Sequence, residues 1–266
     1  ESFPALNLSR GTNFTNAWRD CAAMVEFNAT TLNNGTEFGS TWQGCTALTS
    51  FPAANMSSGT NFSYAWYTNT SMASFLATDL SSGTNFFAAW YNCTALTSLP
   101  SELDVSSGTS FGYAWFGCTA LTSFPALDLS SGTNFANSWR GCTSLVSFPA
   151  DIDVSSGGTF GTAFYGNTAM TTFPAGVFDD WAPTSVTTGC FYQTWEVCNS
   201  LTEQSVENIL LSISASGVHA TADGTANGTA LANSEITIGG SNSNVNVDNL
   251  TPATRAACTA LQSRGW

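Results

Sequence analysis

The sequence is poor in positive charge. Lys and Arg together number 5 among 266 residues, against 18 Asp and Glu, and the formal net charge is −13. Nucleic acids and anionic membrane surfaces are bound by clustered Lys and Arg, so this composition argues against both as partners. Charged residues of either sign make up 9% of the chain, so we expect a polar surface built mostly of Ser, Thr, Asn and Gly.

The sequence also lacks long apolar runs and the motifs of catalytic or metal sites. No run of 18 apolar residues occurs, which predicts no membrane insertion. His219 is the single histidine, the repeated cysteines stand 24 or more residues apart, and there is neither a C-x-x-C pair nor a phosphate-binding glycine motif. We therefore predict no cofactor, no metal site and no enzymatic activity.

What the chain does contain is one phrase repeated eight times, approximately T-N-F-x-x-A-W-x-x-C-T-A-L-T-S-F-P-x-L-D-L-S-S-G. An aromatic anchor marks each repeat, and the anchors are spaced by 24, 24, 24, 25, 24, 25 and 31 residues. These anchors are Trp18, Trp42, Trp66, Trp90, Trp115, Trp139, Phe164 and Trp195. A fixed period of this length predicts a solenoid, in which each repeat stacks only on its neighbours. The chain opens in the middle of a repeat, so we expect a fragment or a processed product.

Each repeat reads as a short helix followed by a short strand. Phe135, Ser138, Trp139 and Cys142 stand at i, i+3, i+4 and i+7, which is one face of a helix, and a short extended segment follows. The anchors lie on the interior face, so we interpret them as core packing rather than as a sugar-binding ladder. The predicted fold is an α/β solenoid of about eight strand–short-helix repeats over residues 1–202, closed by an α/β cap over residues 203–266.

A second column lies three residues after each anchor and contains only Cys or Asn: Cys21, Cys45, Asn69, Cys93, Cys118, Cys142, Asn167 and Cys198. We expect buried free thiols, and asparagines that hydrogen-bond the backbone of the turn. Cys190 and Cys258 fall outside the column and could form one disulfide in the cap, or stay free.

The Cys/Asn column and the L-x-x-F spacing, clearest over residues 115–124, resemble the BspA-like type of leucine-rich repeat. That type occurs in surface proteins of bacteria, protists and phages. The resemblance covers residues 1 to about 202 and implies an extracellular adhesion or recognition module without catalytic residues to transfer. Trp stands here where Phe is usual, and Phe-Pro interrupts the strand.

After the repeats, two helices and a hairpin are predicted. Val206, Ile209, Leu210 and Ile213 form a helical stripe after Thr202. Residues 235–238 and 245–247 alternate in polarity around a polar loop, which is typical of a hairpin. Thr251 and Pro252 predict the start of a second helix, and Gly265 can end it. The N-I-L and S-R-G-W phrases of this segment also resemble the closing segment of repeat proteins from phage tails.

Outward positions in the central repeats hold aromatic residues, which we call the aromatic stripe: Tyr64, Tyr67, Phe87, Tyr91, Tyr113, Phe116 and Tyr165. A contiguous exposed aromatic stripe is typical of a contact surface, although the same rings could simply seal neighbouring repeats together. The strand face with Ser50, Ser98, Ser123 and Ser147 is the next candidate.

Two functional hypotheses follow. The first is a non-enzymatic recognition module, on a cell surface or a virion, that binds a glycan or a protein receptor. The second is a structural fibre or shell subunit that associates with other copies of itself through its repeat surface.

Overall fold

A computed structural model describes residues 1–221, 235–236, 238 and 250–266. Four short strands form a parallel sheet in the order β1 (Ser2–Phe3), β2 (Glu26–Phe27), β3 (Ser50–Phe51) and β4 (Ser74–Phe75). Two helices follow near the end of the chain, α1 (Glu203–Ala215) and α2 (Pro252–Ser263). The architecture is therefore of the α/β type, and no helix in these ranges is long and apolar enough to cross a membrane.

Parallel pairing between residues one period apart continues past the sheet. Phe3 pairs with Phe27 within the sheet, and isolated parallel bridges join Asn85 to Ser110 and Ser147 to Thr172 farther along. Successive repeats consequently lie side by side in one direction. Because the registers follow the 24- to 25-residue spacing, equivalent side chains of neighbouring repeats are brought into contact.

The short helix predicted around each anchor is wrong, because consecutive turns occupy that segment. In the sixth repeat, the N–H groups of Ser138, Arg140 and Cys142 donate to the carbonyl three residues earlier, at 3.1, 3.3 and 3.3 Å. The N–H groups between them donate to the next repeat instead, for example from Trp139 to the Ala163 carbonyl at 2.9 Å. Half of the local donors thus hold the repeats together rather than closing a helix.

Backbone angles give the reason. Asn137 has φ of 59° and Gly141 has φ of 71°, each at the third position of a turn. A left-handed residue at that position is the requirement of a type II turn and is incompatible with a right-handed helix. The turns still point residues i, i+3, i+4 and i+7 inward, so the predicted interior face is kept without the predicted helix.

The core consists of stacked aromatic columns. Six of the tryptophan anchors, from Trp42 to Trp195, are fully buried, as predicted. Neighbouring anchors stack with ring centroids 5.1–6.0 Å apart. A phenylalanine from the extended segment meets each anchor edge to face, as Phe51 meets Trp42 at 4.7 Å and 73°. Such offset and perpendicular contacts are the favoured arrangements of aromatic rings.

Both C-terminal helices agree with the sequence pattern. Thr202 caps α1 by accepting the N–H of Ser205, and Thr251 caps α2 by accepting the N–H of Thr254. The Glu207 carboxylate on α1 accepts the N–H of Thr251 at 2.6 Å and so ties the two helices together. Of the predicted hairpin, residues 237 and 245–247 lie outside the described residues, while Ile238 pairs in parallel with Trp195.

Candidate functional site: an aromatic groove

The turns around each anchor decide where the aromatic stripe lies. The residue two positions before each anchor is left-handed, with φ of 57° at Tyr64, 54° at Ala88 and 59° at Tyr113. The residue one position after each anchor lies beside it on the same outer side of the turn. Equivalent positions of adjacent repeats therefore meet, and the structure brings six of the seven predicted residues of the stripe into one surface.

One row of this surface is a stack of rings from the position after the anchor. Tyr67 and Tyr91 stack with centroids 4.6 Å apart and planes 13° apart. Tyr91 and Phe116 stack at 4.6 Å and 3°. The ring faces in this row are covered by each other, so the row presents mainly ring edges to solvent.

A second row comes from the turn before the anchor. Phe87 lies between Tyr64 and Tyr113, with centroids 5.5 and 5.6 Å away. The two rows are joined by the Tyr64–Tyr67 contact at 5.6 Å and the Tyr113–Phe116 contact at 5.8 Å. Together the rows form a continuous aromatic surface across the third, fourth and fifth repeats.

A cavity of roughly 290 Å³ opens between the rows, which we call the notch, and it is lined by Tyr64, Tyr67, Phe87, Ala88, Tyr91 and Tyr113. Its cause is a single small residue. The third and fifth repeats carry a tyrosine two residues before the anchor, whereas the fourth carries Ala88 there. One side chain is missing from the row, and aromatic rings wall the space it leaves.

Arg140 connects the seventh residue of the stripe to the rest. Its guanidinium lies 4.5 Å from the centroid of the Tyr165 ring and 5.7 Å from that of Phe116. It also donates to the Asn137 side chain at 3.2 Å. The sequence pattern placed Arg140 outside the stripe, although it occupies the same position after its anchor as Tyr91 and Phe116, and that shared position was the available signal.

The stripe is less exposed than its predicted place on a helix surface implied. Tyr64 is 37% exposed, and the other six residues are half-buried because the rings pack on one another. Burial raises the pKa of Tyr91, and the neighbouring Tyr67 and Tyr113 hydroxyls raise it further. Its phenol is therefore neutral at physiological pH, and the stripe both seals the repeats and offers an aromatic surface.

The Cys/Asn column is buried and divides by residue type. The thiols of five cysteines, among them Cys93 and Cys118, donate to the carbonyl of the anchor one repeat earlier, at 3.0–3.2 Å. The expectation for the asparagines is wrong: Asn69 and Asn167 are fully buried, and neither amide has a hydrogen-bond partner within the described residues. Cys21, on the first repeat, is exposed because no earlier repeat covers it.

Every cysteine is a free thiol, so the suggested disulfide between Cys190 and Cys258 is wrong. Cys190 is fully enclosed in the stack, while Cys258 lies half-buried on α2. Burial raises the pKa of the Cys118 thiol to about 12, and of Cys93 well above its ordinary value. These thiols are protonated and enclosed, which disfavours a nucleophilic role.

The serine face carries its own hydrogen bonds. The Ser74 hydroxyl donates to that of Ser50 at 2.8 Å, and Ser123 pairs in parallel with Ser147. The repeated aspartates cap turns, as when Asp104 accepts the N–H of Ser106 at 3.0 Å. Within the described ranges, no group of three or more His, Cys, Asp and Glu side chains could hold a metal ion.

Comparison with known proteins gives no match: no protein-family model matches the chain, and no curated protein is significantly similar to it. Function is therefore argued from the chemistry of the aromatic groove.

Proposed function

We propose that this protein is a non-enzymatic recognition module, displayed on a cell surface or a virion, that binds a host receptor through the aromatic groove. The observation that supports it is the unbroken surface of six rings in three adjacent repeats, with an open notch at its centre. Aromatic residues are enriched at the centres of protein interfaces because they contribute a large contact area with little loss of side-chain entropy.

The scaffold we propose is a leucine-rich-repeat-like solenoid of eight repeats, of the BspA-like type. Parallel pairing at 24- and 25-residue intervals and the stacked columns of anchors support it. In such an arrangement, each repeat contributes equivalent positions to one outer surface. Variation at those positions then makes a binding site without altering the core.

Among receptors, the geometry favours a protein over a glycan. Sugar rings commonly bind through C–H groups laid on exposed aromatic faces, but here the faces of Tyr67, Tyr91 and Phe116 cover one another at 4.6 Å. A surface of ring edges, phenol hydroxyls and one notch is better suited to side chains of a protein. A glycan receptor remains an outcome of the test.

Binding of labelled protein to a panel of intact cells and to a glycan array tests this proposal. The triple variant Tyr67→Ser, Tyr91→Ser and Phe116→Ser removes one row of the surface and should abolish binding. Circular dichroism and thermal melting must first show that the variant is folded at the assay temperature. Unchanged binding by a folded triple variant would place the contact surface elsewhere.

A matched control changes the same three repeats on another exposed position. Thr60, Thr84 and Thr109 are exposed and lie outside the notch. The triple variant in which each becomes Ala should keep full binding. Loss of binding in this control as well would show a general effect on the repeats rather than a contact through the aromatic groove.

A second candidate function, a self-associating structural subunit, is favoured by the open face of the first repeat. The carbonyls of Gly39, Thr41 and Gln43 in the second repeat accept N–H groups from the first. The equivalent carbonyls of the first repeat receive no backbone N–H within the described part of the chain. Light scattering after size exclusion tests this candidate: a monomer across a hundredfold concentration range would exclude it.

A further inference from the structure

The notch is walled by π systems and contains no charge of its own. Five aromatic rings and Ala88 line it, and no Lys or Arg side chain is among the lining residues. The face of an aromatic ring carries partial negative charge, so several rings around one space attract a cation. Ala88 is only 2% exposed and forms the floor, which leaves the ring surfaces as the groups that an occupant meets.

The same surface already holds a cation a short distance away. Arg140 places its guanidinium over Tyr165 at 4.5 Å and beside Phe116 at 5.7 Å. In this row, an arginine therefore continues the stack where a ring is absent. The notch offers comparable ring surfaces, but the missing residue there is Ala88, which leaves the place unfilled.

Net charge points in the same direction. The chain carries −13, so a positively charged partner is attracted at long range, and its encounter with the groove is accelerated. An anionic ligand would be repelled by the same field. A guanidinium also stacks on aromatic faces better than a compact, strongly hydrated ammonium does.

We propose that the notch binds a guanidinium side chain, and hence that the receptor is a protein segment that presents an arginine to the groove. This inference rests on the proposed recognition function and specifies the chemistry of the partner. The arginine enters the space beside Ala88 between the rings of Tyr64 and Tyr113, with Tyr91 alongside.

Calorimetric titration with an acetylated tetra-arginine amide tests the inference, with tetra-citrulline as the neutral isostere. The arginine peptide should bind at least about tenfold more tightly, since two or more cation–π contacts are lost with the charge. Equal binding of the two peptides would show that the notch takes apolar groups and would overturn the inference. Binding of tetramethylammonium with no binding of tetra-arginine would overturn it too.

The variant Ala88→Tyr should fill the notch and weaken tetra-arginine binding by about tenfold or more. It is designed to fold, because tyrosine already stands at this left-handed position in both neighbouring repeats, at Tyr64 and Tyr113. Thr162→Tyr, at the same turn position in the seventh repeat with φ of 55°, is the matched control and should bind normally. Neither change alters net charge, so nonspecific attraction to the acidic protein would survive both, and such survival would contradict the inference.

A second route avoids dependence on one variant. Tyr91→Leu keeps an apolar side chain but removes a ring from the notch, and it should weaken tetra-arginine more than tetra-citrulline. The two proposals also fail separately. If Ala88→Tyr binds cells normally while the triple stripe variant does not, the arginine inference fails and the recognition surface stands. If the triple variant binds cells normally as well, both fail.

Discussion

Replacing Asn69 with Cys should stabilise the protein. Both polar atoms of the Asn69 amide are buried without a hydrogen-bond partner within the described residues. In the fourth repeat the equivalent residue is Cys93, and its thiol donates to the Trp66 carbonyl at 3.1 Å. The substitution therefore removes an unsatisfied amide and introduces the group that the neighbouring repeats already use at this position.

The expected gain follows from the cost of the amide. A buried polar group without a partner destabilises a protein by about 1–3 kcal/mol, and Cys has nearly the volume of Asn, so little cavity is made. We expect Asn69→Cys to raise the free energy of unfolding by about 1–3 kcal/mol. For a chain of this size, the melting temperature should rise by roughly 2–10 °C.

Differential scanning calorimetry in the presence of a reductant measures the effect. The reverse substitution Cys93→Asn should destabilise the protein by a similar amount. Asn167→Cys lies four repeats from Asn69, so the gains of the two stabilising variants should add. A lower melting temperature for Asn69→Cys, together with a neutral Cys93→Asn, would show that the amide is satisfied in the folded protein and would refute this reasoning.

Three further predictions concern the core and the thiols. Trp90→Ala should lower stability by about 3–5 kcal/mol in urea unfolding, because it empties a fully buried column, whereas the half-buried Tyr91→Ser should lower it by clearly less; equal losses would mean that the stripe is packing alone. In the native protein, maleimide should label the exposed Cys21 quickly and Cys258 slowly, and the remaining thiols only after unfolding; rapid labelling of more than two would contradict the enclosed column. Since burial raises the pKa of Cys118 from 9.0 to about 12, stability should be complete below pH 9 and fall as the pH rises toward 12. Cys118→Ala should make that fall shallower, and an unchanged slope would assign the loss to other groups.

Period and interior face were predictable because they depend only on which residues are apolar. The 24- to 25-residue spacing predicted the parallel register, and the i, i+3, i+4, i+7 pattern predicted which side chains are buried. α1 and α2 were also predictable, since Thr202 and Thr251 are N-cap residues followed by helical periodicity.

The helix predicted within each repeat failed for a physical reason. A helix and a run of tight turns can bury the same four positions, so hydrophobic periodicity does not separate them. The distinguishing signal lies at the two left-handed positions on either side of the anchor, such as Asn137 and Gly141, where Asn and Gly are tolerated at positive φ. Tyr64 and Thr68 occupy the same positions in the third repeat, which hides that signal.

The notch shows how such a repeat chain makes a specific site. The stacked core is nearly identical in every repeat, so it cannot distinguish one part of the surface from another. Specificity has to come from outward positions where neighbouring repeats differ, and the contrast between Tyr64, Ala88 and Tyr113 is the sharpest of these within the aromatic stripe. Comparing the same position across repeats could have located the gap from the sequence alone. Its depth and its ring walls required the structure, because Phe87 moves into the row from a different position in its own turn.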